Sequence, residues 1–116
     1  MKGFGKQNNH KKKTSTYKNA KPSKEEEIIN QAFKFHSEGN AKKAAKYYQD
    51  FIDQGFNDHR VFSNYGIILS DLGNLKEAEV STRKAIEIRP DFAEAHYNLG
   101  NILRDLGKSQ DAELSY

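Results

Sequence analysis

The residues that could perform acid–base, metal or nucleophilic chemistry are scattered along this sequence. The four histidines, His10, His36, His59 and His96, lie tens of residues apart, and none has a second metal ligand at helical or loop spacing. No G-x-S-x-G segment presents a serine nucleophile. The acidic run at residues 25–27 is typical of a helix N-terminus, where the helix dipole favours negative charge. We therefore expect no enzyme activity, no metal and no cofactor.

Length and composition narrow the class of protein further. The 116 residues are enough for one modest domain, and the sequence contains no cysteine, so neither disulfides nor thiolate metal sites are expected. The first thirty residues lack the apolar stretch of a signal peptide, and no later run reaches the roughly 20 apolar residues of a membrane span. These features favour a cytoplasmic protein.

The positive charge is concentrated at the N-terminus. Residues 1–24 contain eight lysines and no acidic residue, whereas residues 25–116 contain eleven basic and sixteen acidic residues. With only two aromatic side chains, this basic tail is predicted to be disordered. Its Lys11, Lys12 and Lys13 could contact nucleic acid or an anionic membrane through counterion release. The alternative is that the tail only keeps the protein in solution.

The remainder of the sequence repeats every 34 residues. Gly39, Gly73 and Gly107 show this spacing, and four other sets of residues share it. These sets are Ala32/Gly66/Gly100, Ala44/Ala78/Ala112, Phe35/Leu69/Leu103 and Asn30/Asn64/Asn98. Each unit is interpreted as a hairpin of two helices. The predicted helices cover residues 25–38, 42–55, 59–72, 76–89 and 93–106, with the start of a sixth from residue 110.

Local signals support the predicted helix bounds. Ser23 with Glu26, and Asp91 with Glu94, have the spacing of a capping box just ahead of an apolar-periodic run. A glycine follows the first helix of each unit, where a left-handed conformation lets the chain reverse. The sequence therefore predicts both where the helices begin and where the hairpins turn.

The second unit indicates how the two helices of a hairpin should pack. Small residues let helices approach closely, so Gly66 and Ala78 are predicted to mark their contact, which a larger side chain would overpack. The apolar stripe of the first helix consists of Phe62, Tyr65, Gly66, Leu69 and Leu72. The second helix is predicted to face it with Ala78, Val80, Ala85, Ile86 and Ile88.

This pattern resembles the tetratricopeptide repeat, a 34-residue helical hairpin. The third unit is the most similar, the second is similar at fewer positions, and the first is divergent. The matching residues of the third unit are Leu99, Gly100, Leu103, Gly107, Ala112 and Tyr116. Those of the second unit are Phe62, Gly66, Leu69, Ala78, Ala85 and Pro90.

The resemblance covers residues 25–116 and implies an all-α protein, an alpha-alpha superhelix of about two and a half tetratricopeptide-like hairpins. The implied organisation is a disordered tail, a divergent first repeat, a second repeat, and a third repeat truncated in its second helix. The corresponding ranges are 1–24, 25–58, 59–92 and 93–116. Because the third hairpin is unfinished, its apolar residues Leu99, Ile102, Leu103 and Leu106 should lack much of the facing helix, and self-association through this edge is expected.

The resemblance also implies a function in protein–protein interaction. In the family, the first helices of the hairpins line a concave groove that receives an extended peptide or a partner helix, and no catalysis comes with it. The residues implied to line that groove, here called the groove face, are Asn30, Phe33, Arg60, Asn64, Ile67, Asp71, Glu94, Asn98, Asn101 and Asp105. The three asparagines in register could hydrogen-bond the backbone of an extended peptide, or could instead bond neighbouring groups between repeats.

Related modules hold an acidic C-terminus with a carboxylate clamp of lysine, asparagine and further basic residues. This sequence departs from that pattern, because only one clamp position carries the expected residue type. Asn64 matches, whereas the other positions are occupied by Ile29, Phe33, Glu94 and Asn98. Binding of an acidic C-terminus is therefore not expected.

Two other functions remain open at this point. The repeats could form the substrate-recruiting front of a longer transferase that contains such repeats. Alternatively, the basic tail could tether the protein to nucleic acid or to an anionic membrane while the repeats hold a second protein.

Overall fold

The computed structural model describes residues 21–114, with side chains described over residues 21–108. This part of the chain consists of five α-helices and contains no strand, so the predicted all-α class is confirmed. The predicted bounds of the first four helices agree with the structure to within two residues. The helices are α1 (Lys24–Ser37), α2 (Ala41–Asp53), α3 (His59–Asp71), α4 (Leu75–Ile88) and α5 (Ala93–Leu114).

Helix α1 begins at the predicted capping box. The Ser23 hydroxyl accepts a hydrogen bond of 3.1 Å from the Glu26 N–H, and the Glu26 carboxylate accepts one of 3.2 Å from the Ser23 N–H. Both orphan N–H groups at the helix start are thus satisfied. Residues 1–20, including Lys11, Lys12 and Lys13, lie outside the described residues, so the prediction of a disordered basic tail stays a prediction.

The two complete hairpins turn at the predicted glycines. Gly39 and Gly73 have φ values of 77° and 85°, in the left-handed region that favours glycine. In both turns the next residue donates its N–H to a carbonyl near the helix end, from Asn40 to Phe35 at 2.9 Å and from Asn74 to Leu69 at 2.8 Å. The hairpin turns predicted from the first two glycines are confirmed.

The turn expected at Gly107 does not form, and α5 continues through this residue to Leu114. A glycine inside a helix costs about 1 kcal/mol, which is a small penalty. At this small cost the helical hydrogen bonds continue through the glycine, and the sequence spacing alone does not produce a turn.

The second predicted capping box, Asp91 with Glu94, is also absent. Helix α5 begins at Ala93, and the Phe92 carbonyl accepts the first helical bond, from the Ala95 N–H at 3.1 Å. The Asp91 carboxylate instead accepts a bond of 3.3 Å from Arg89. Burial of the Phe92 ring among Phe62, Ala85 and Ala95 explains this start, because tertiary packing of the ring places Phe92 at the cap position.

The contact between α3 and α4 is tight at the predicted small residues. A Cβ atom on Gly66 would collide with the Thr82 hydroxyl and would lie 3.3 Å from the Ala78 carbonyl oxygen. Ala78, Thr82 and Ala85 are fully buried. The assignment of Val80 and Ile88 to this contact is wrong, because the two side chains are 71% and 38% exposed.

The helices form two layers. Helix α3 packs directly against α5 as well as against α4, whereas α2 and α4 border an open cleft above α3. At this point α3 and α5 are therefore in contact, whereas α2 and α4 are spread apart. No helix of the described part combines the length and apolar character of a membrane span.

Candidate functional site

The residues of the groove face lie on α1, α3 and α5, and none of them is buried. Four are exposed, namely Asn30, Arg60, Asp71 and Glu94. The remaining six are half-buried, namely Phe33, Asn64, Ile67, Asn98, Asn101 and Asp105. Each can therefore present part of its side chain to a ligand, which is a requirement for the predicted role and not a test of it.

A buried tyrosine links the first two hairpins behind this face. The Tyr48 hydroxyl lies 2.8 Å from Nδ1 of His36, and the tyrosine ring is fully buried. Burial raises the pKa of Tyr48 to about 12, with a smaller opposing effect from the side-chain amide of Asn64. The phenol is therefore protonated at neutral pH and can donate to His36. Asn64 interacts with this hydroxyl from the neighbouring repeat.

A similar contact joins the second and third units. The Asn98 side-chain NH₂ is 3.5 Å from the hydroxyl of Ser63, which is fully buried. Asn30 makes no side-chain hydrogen bond within residues 21–108. Thus Asn64 and Asn98 each contact a hydroxyl from another helix, while their amides retain further donor and acceptor capacity for a ligand.

Arg60, the one arginine of the groove face, already pairs with a neighbouring side chain. Arg60 donates to the Asp58 carboxylate at 2.7 Å, and its guanidinium lies 5.5 Å from the centre of the Phe33 ring. Burial alone would raise the pKa of Asp58, but the hydrogen bonds and charge of Arg60 together hold that pKa below its usual value. The positive charge of Arg60 is therefore largely neutralised by its own neighbour.

The acidic residues of the groove face are less compensated. Asp71 and Glu94 form no ion pair within the described residues, and Asp105 is 4.0 Å from Arg104. Burial lowers the pKa of His36, whereas the charges of Asp71 and Glu94 act in the opposite direction. The influence of both carboxylates on one imidazole places negative charge from α3 and α5 towards α1. The groove face therefore has an acidic character.

A cleft of about 600 Å³ lies between α2 and α4, with α3 as its floor, and none of the groove-face residues lines it. Its apolar lining includes Ile52, Phe56, Phe62, Tyr65, Leu69 and Val80. Sequence reasoning missed this surface, although Val80 carried a signal. A residue two positions after Ala78 lies about 200° around the helix from it, and so cannot share its buried face.

The polar groups within this cleft are already bonded to one another. The Tyr65 hydroxyl donates to the Gln49 side chain at 2.8 Å, and the buried Ser81 hydroxyl donates to the Phe62 carbonyl at 2.7 Å. Two lysines, Lys76 and Lys84, border the cleft on the α4 side, together with Glu77. The cleft therefore combines an apolar floor with a charged edge.

Within residues 21–108, no group of three or more histidine, cysteine, aspartate or glutamate side chains could hold a metal ion.

Comparison with known proteins identifies the repeat. Residues 66–107 match the family model described as TPR repeat. No curated protein sequence matches the chain. The TPR2B domain of yeast Sti1, solved in a complex with pHsp70, is 25% identical, covers 76% of this chain and 70% of its own, and superposes with a TM-score of 0.66.

Two further solved structures match over more of this chain but less of their own. A TPR2AB–pHSP90 complex of yeast Sti1 shows 25% identity over 90% of this chain and 41% of that one, with a TM-score of 0.67. MamA from Desulfovibrio magneticus RS-1 shows 24% identity over 80% and 52% of the two chains, with a TM-score of 0.66. This chain therefore spans 41% and 52% of the length of these two solved chains.

Proposed function

The chain belongs to the tetratricopeptide repeat family over residues 66–107, and from this premise we propose that it is a non-enzymatic protein-interaction module. In this proposal the groove face binds an extended peptide or a partner helix, with an extended segment of neutral to basic character as the favoured ligand. The chemistry of the groove face supports this choice. It combines asparagines, which can bond a peptide backbone, with carboxylates that favour a basic side chain.

The observation that carries the proposal is that two neighbouring helices each present an asparagine and an acidic residue. Helix α3 carries Asn64 and Asp71, and helix α5 carries Asn98 and Glu94. An extended peptide leaves its N–H and C=O groups unsatisfied, and an asparagine offers both a donor and an acceptor. The uncompensated carboxylates would then select a lysine or arginine side chain along the same peptide. Arg60 adds little opposing charge, because Asp58 pairs with it.

The similar structures support a protein partner in general but not the same peptide chemistry. The Sti1 domains were solved in complexes with pHsp70 and pHSP90. Here the clamp position at Ile29 is only 8% exposed and belongs to the core of the first hairpin, so it cannot contact a ligand. Glu94 would repel a carboxylate. We therefore do not extend acidic C-terminus binding to this chain.

The first experiment tests the asparagines. Replacing Asn64 and Asn98 together by alanine should weaken the binding of an extended basic peptide to the folded protein by about 1–3 kcal/mol, in addition to the loss of melting temperature expected from their contacts with Tyr48 and Ser63. Asn74→Ala is the matched control, because Asn74 is exposed at the start of α4 and makes no side-chain cap bond. A drop in melting temperature with unchanged affinity would assign the asparagines to contacts between repeats and would end this part of the proposal.

The second experiment tests the charge. Asp71→Asn with Glu94→Gln should lower the affinity for a lysine-containing extended peptide roughly three- to tenfold, and more so at low salt. The affinity for the same peptide with alanine at the lysines should hardly change. Glu87→Gln is the control, because Glu87 is an exposed acid on α4. Equal losses for both peptides would contradict selection by charge.

The alternative is that the basic tail tethers the protein to nucleic acid or to an anionic membrane. Residues 1–24 contain eight lysines and no acidic residue, which supports this alternative. Retention on heparin should then fall sharply for a chain that starts at Lys21, which keeps the Ser23 cap. Equal retention would exclude the tether. The remaining alternative is a role as the substrate-recruiting front of a longer transferase, which the coding sequence around these residues tests.

A cytoplasmic location remains part of the proposal.

A further inference from the structure

We infer that the cleft between α2 and α4 is a second protein-binding site, which takes an amphipathic α-helix with acidic residues beside its apolar face. We call it the outer cleft. This inference is independent of the groove face, because the outer cleft lies on the opposite layer and shares none of the groove-face residues.

The size and lining of the outer cleft fit several apolar side chains at once. Its volume of about 600 Å³ is bordered on α4 by residues at helical spacing, Lys76, Val80 and Lys84. Val80 is 71% exposed, which is a large exposure for an aliphatic side chain at the mouth of an apolar cavity. Eight residues of helix span about 12 Å, so a ligand must extend over roughly two helical turns to cover this edge.

Hydrogen bonding favours a helix over an extended segment as this ligand. Most of the lining belongs to helices, whose backbone groups are bonded internally, and the hydroxyls of Tyr65 and Ser81 donate to Gln49 and to the Phe62 carbonyl. An extended peptide would bury unsatisfied N–H and C=O groups on this apolar floor, which is costly. A helix satisfies its own backbone and presents only side chains.

The charge at the α4 edge selects acidic residues on that helix. Lys76 forms no ion pair within the described residues, whereas Lys84 pairs with Glu87 at 3.4 Å, so Lys76 is the lysine that a ligand carboxylate can meet without displacing a partner. The two lysines are eight residues apart, so carboxylates about two turns apart on a ligand helix can meet both. Glu77 lies beside Lys76. Burial is the largest cause that raises the pKa of the Tyr65 hydroxyl, and the charges of Glu77 and Asp53 raise this pKa further.

The same charges argue against the protein's own basic tail as the occupant. Residues 1–24 carry eight lysines and no acid, and lysines would meet lysines at the α4 edge. Like charges at a docking site oppose binding. A separate partner helix with acidic flanks is therefore the better match.

The test uses the full chain and a designed peptide. The probe is a helical peptide of about 15 residues with leucines at i, i+4 and i+7 and glutamates about seven residues apart on one flank. Its sister peptide carries lysines in place of the glutamates. Binding is measured by fluorescence anisotropy, and the contact surface is mapped from backbone amide shifts in NMR spectra.

Binding of the glutamate peptide, with shifts along α4 and the C-terminal half of α2, is the expected result. Val80→Glu should weaken it at least tenfold, and Val80→Ala should weaken it less. Leu103→Glu, at an exposed apolar residue outside the cleft, is the matched control and should have no effect. Lys76→Glu with Lys84→Glu should weaken binding by roughly tenfold, whereas reversal of the exposed Lys24 and Lys42 should not.

Three results would overturn the inference. Equal binding of the glutamate and lysine peptides would remove the charge argument. Unchanged binding by the Val80→Glu protein, with melting temperature also unchanged, would place the peptide elsewhere. Self-association that Val80→Glu abolishes would assign the outer cleft to a second copy of the chain.

Discussion

The second hairpin and the third unit carry matching residues in different environments. Leu69 and Leu103 are 34 residues apart in the repeat, yet Leu69 is 5% exposed and Leu103 is 41% exposed. Gly66 touches α4, whereas a Cβ on Gly100 would meet nothing within 4 Å. The difference arises because α4 covers Gly66 and Leu69, whereas no described helix covers Gly100 and Leu103.

This difference shows that the register of a repeat determines the orientation of a residue but not its burial. The third unit is covered on one side only, as Ile102 illustrates. It is 2% exposed because it packs against Leu69 and Ala78 of the preceding hairpin. Ile102 is therefore covered by the preceding hairpin, whereas Leu103 is not. The apolar surface left open on α5, here called the Gly100 face, consists of Tyr97, Gly100 and Leu103.

The largest effect that would test this comparison is expected from the two leucines. Leu69→Ala should lower the free energy of unfolding by about 2–5 kcal/mol, the range for a buried leucine. Leu103→Ala should lower it by less than about 1 kcal/mol, because part of that side chain is already in water. Urea unfolding of dilute protein measures both. Similar losses for the two variants would mean that the Gly100 face is covered in solution.

The two glycines should respond in opposite directions. Gly66→Ala should destabilise the fold by about 1–3 kcal/mol, because its Cβ collides with the Thr82 hydroxyl. Gly100→Ala should stabilise it by up to about 1 kcal/mol, since the site is open and alanine favours helix. Adding Thr82→Ala should reduce the penalty of Gly66→Ala, and failure of this rescue would locate the strain elsewhere.

The hydroxyls of Tyr48 and Thr82 occupy matching positions in the first two hairpins and should also differ. Tyr48→Phe removes the bond to His36 and should cost about 0.5–1.5 kcal/mol in unfolding free energy. The buried Thr82 hydroxyl has no hydrogen-bond partner within residues 21–108. Thr82→Val should therefore be neutral or stabilising. A clear loss on Thr82→Val would show that this hydroxyl has a partner in solution.

The first hairpin should also weaken at mildly acidic pH. Burial holds the pKa of His36 below its usual value. The neutral form is favoured in the folded state, so the stabilisation is present above pH 6.5 and is lost as pH falls from there through the folded-state pKa. Denaturant unfolding near pH 7.5 and 5.5 measures this loss, for which about 6.5 is the unfolded-state pKa.

The acidic groups around His36 provide the control for that prediction. Asp71→Asn should make the loss steeper, because the Asp71 charge opposes the lowering of the pKa. His36→Gln should make the unfolding free energy less dependent on pH over the same range. An unchanged pH dependence in His36→Gln would assign the effect to another group.

The smallest expected effect is weak self-association through the Gly100 face. Tyr97 and Leu103 are 72% and 41% exposed, and exposed apolar patches on a helix favour contact between copies. Sedimentation velocity at increasing concentration should show a shift towards dimers that Leu103→Glu removes. Val80→Glu, on the other layer, should leave the shift unchanged. A clean monomer at high concentration would contradict this prediction.

Most of the helical architecture could be predicted from the sequence because it depends on local chemistry. Helix periodicity, the capping box at Ser23 and the glycine turns at Gly39 and Gly73 involve residues a few positions apart. The repeat spacing also identified Gly66 and Ala78 as the contact between α3 and α4. These interactions are present in any fold that forms the hairpin, so the pattern alone determines them.

The binding surfaces depended more on tertiary structure. The sequence register placed the groove face on α1, α3 and α5, but only packing brings Asn64 to the Tyr48 hydroxyl and Asn98 to Ser63. The outer cleft arises because α2 and α4 spread apart above α3, which no single helix encodes.

Two local sequence signals predicted features that the structure lacks. Gly107 has the spacing of a turn, yet α5 continues through it to Leu114. Asp91 has the spacing of a cap, yet burial of the Phe92 ring places the helix start elsewhere. The sequence by itself therefore determined the helices, their register and the faces they present. Tertiary structure decided which faces are covered, because burial depends on neighbours distant in the chain.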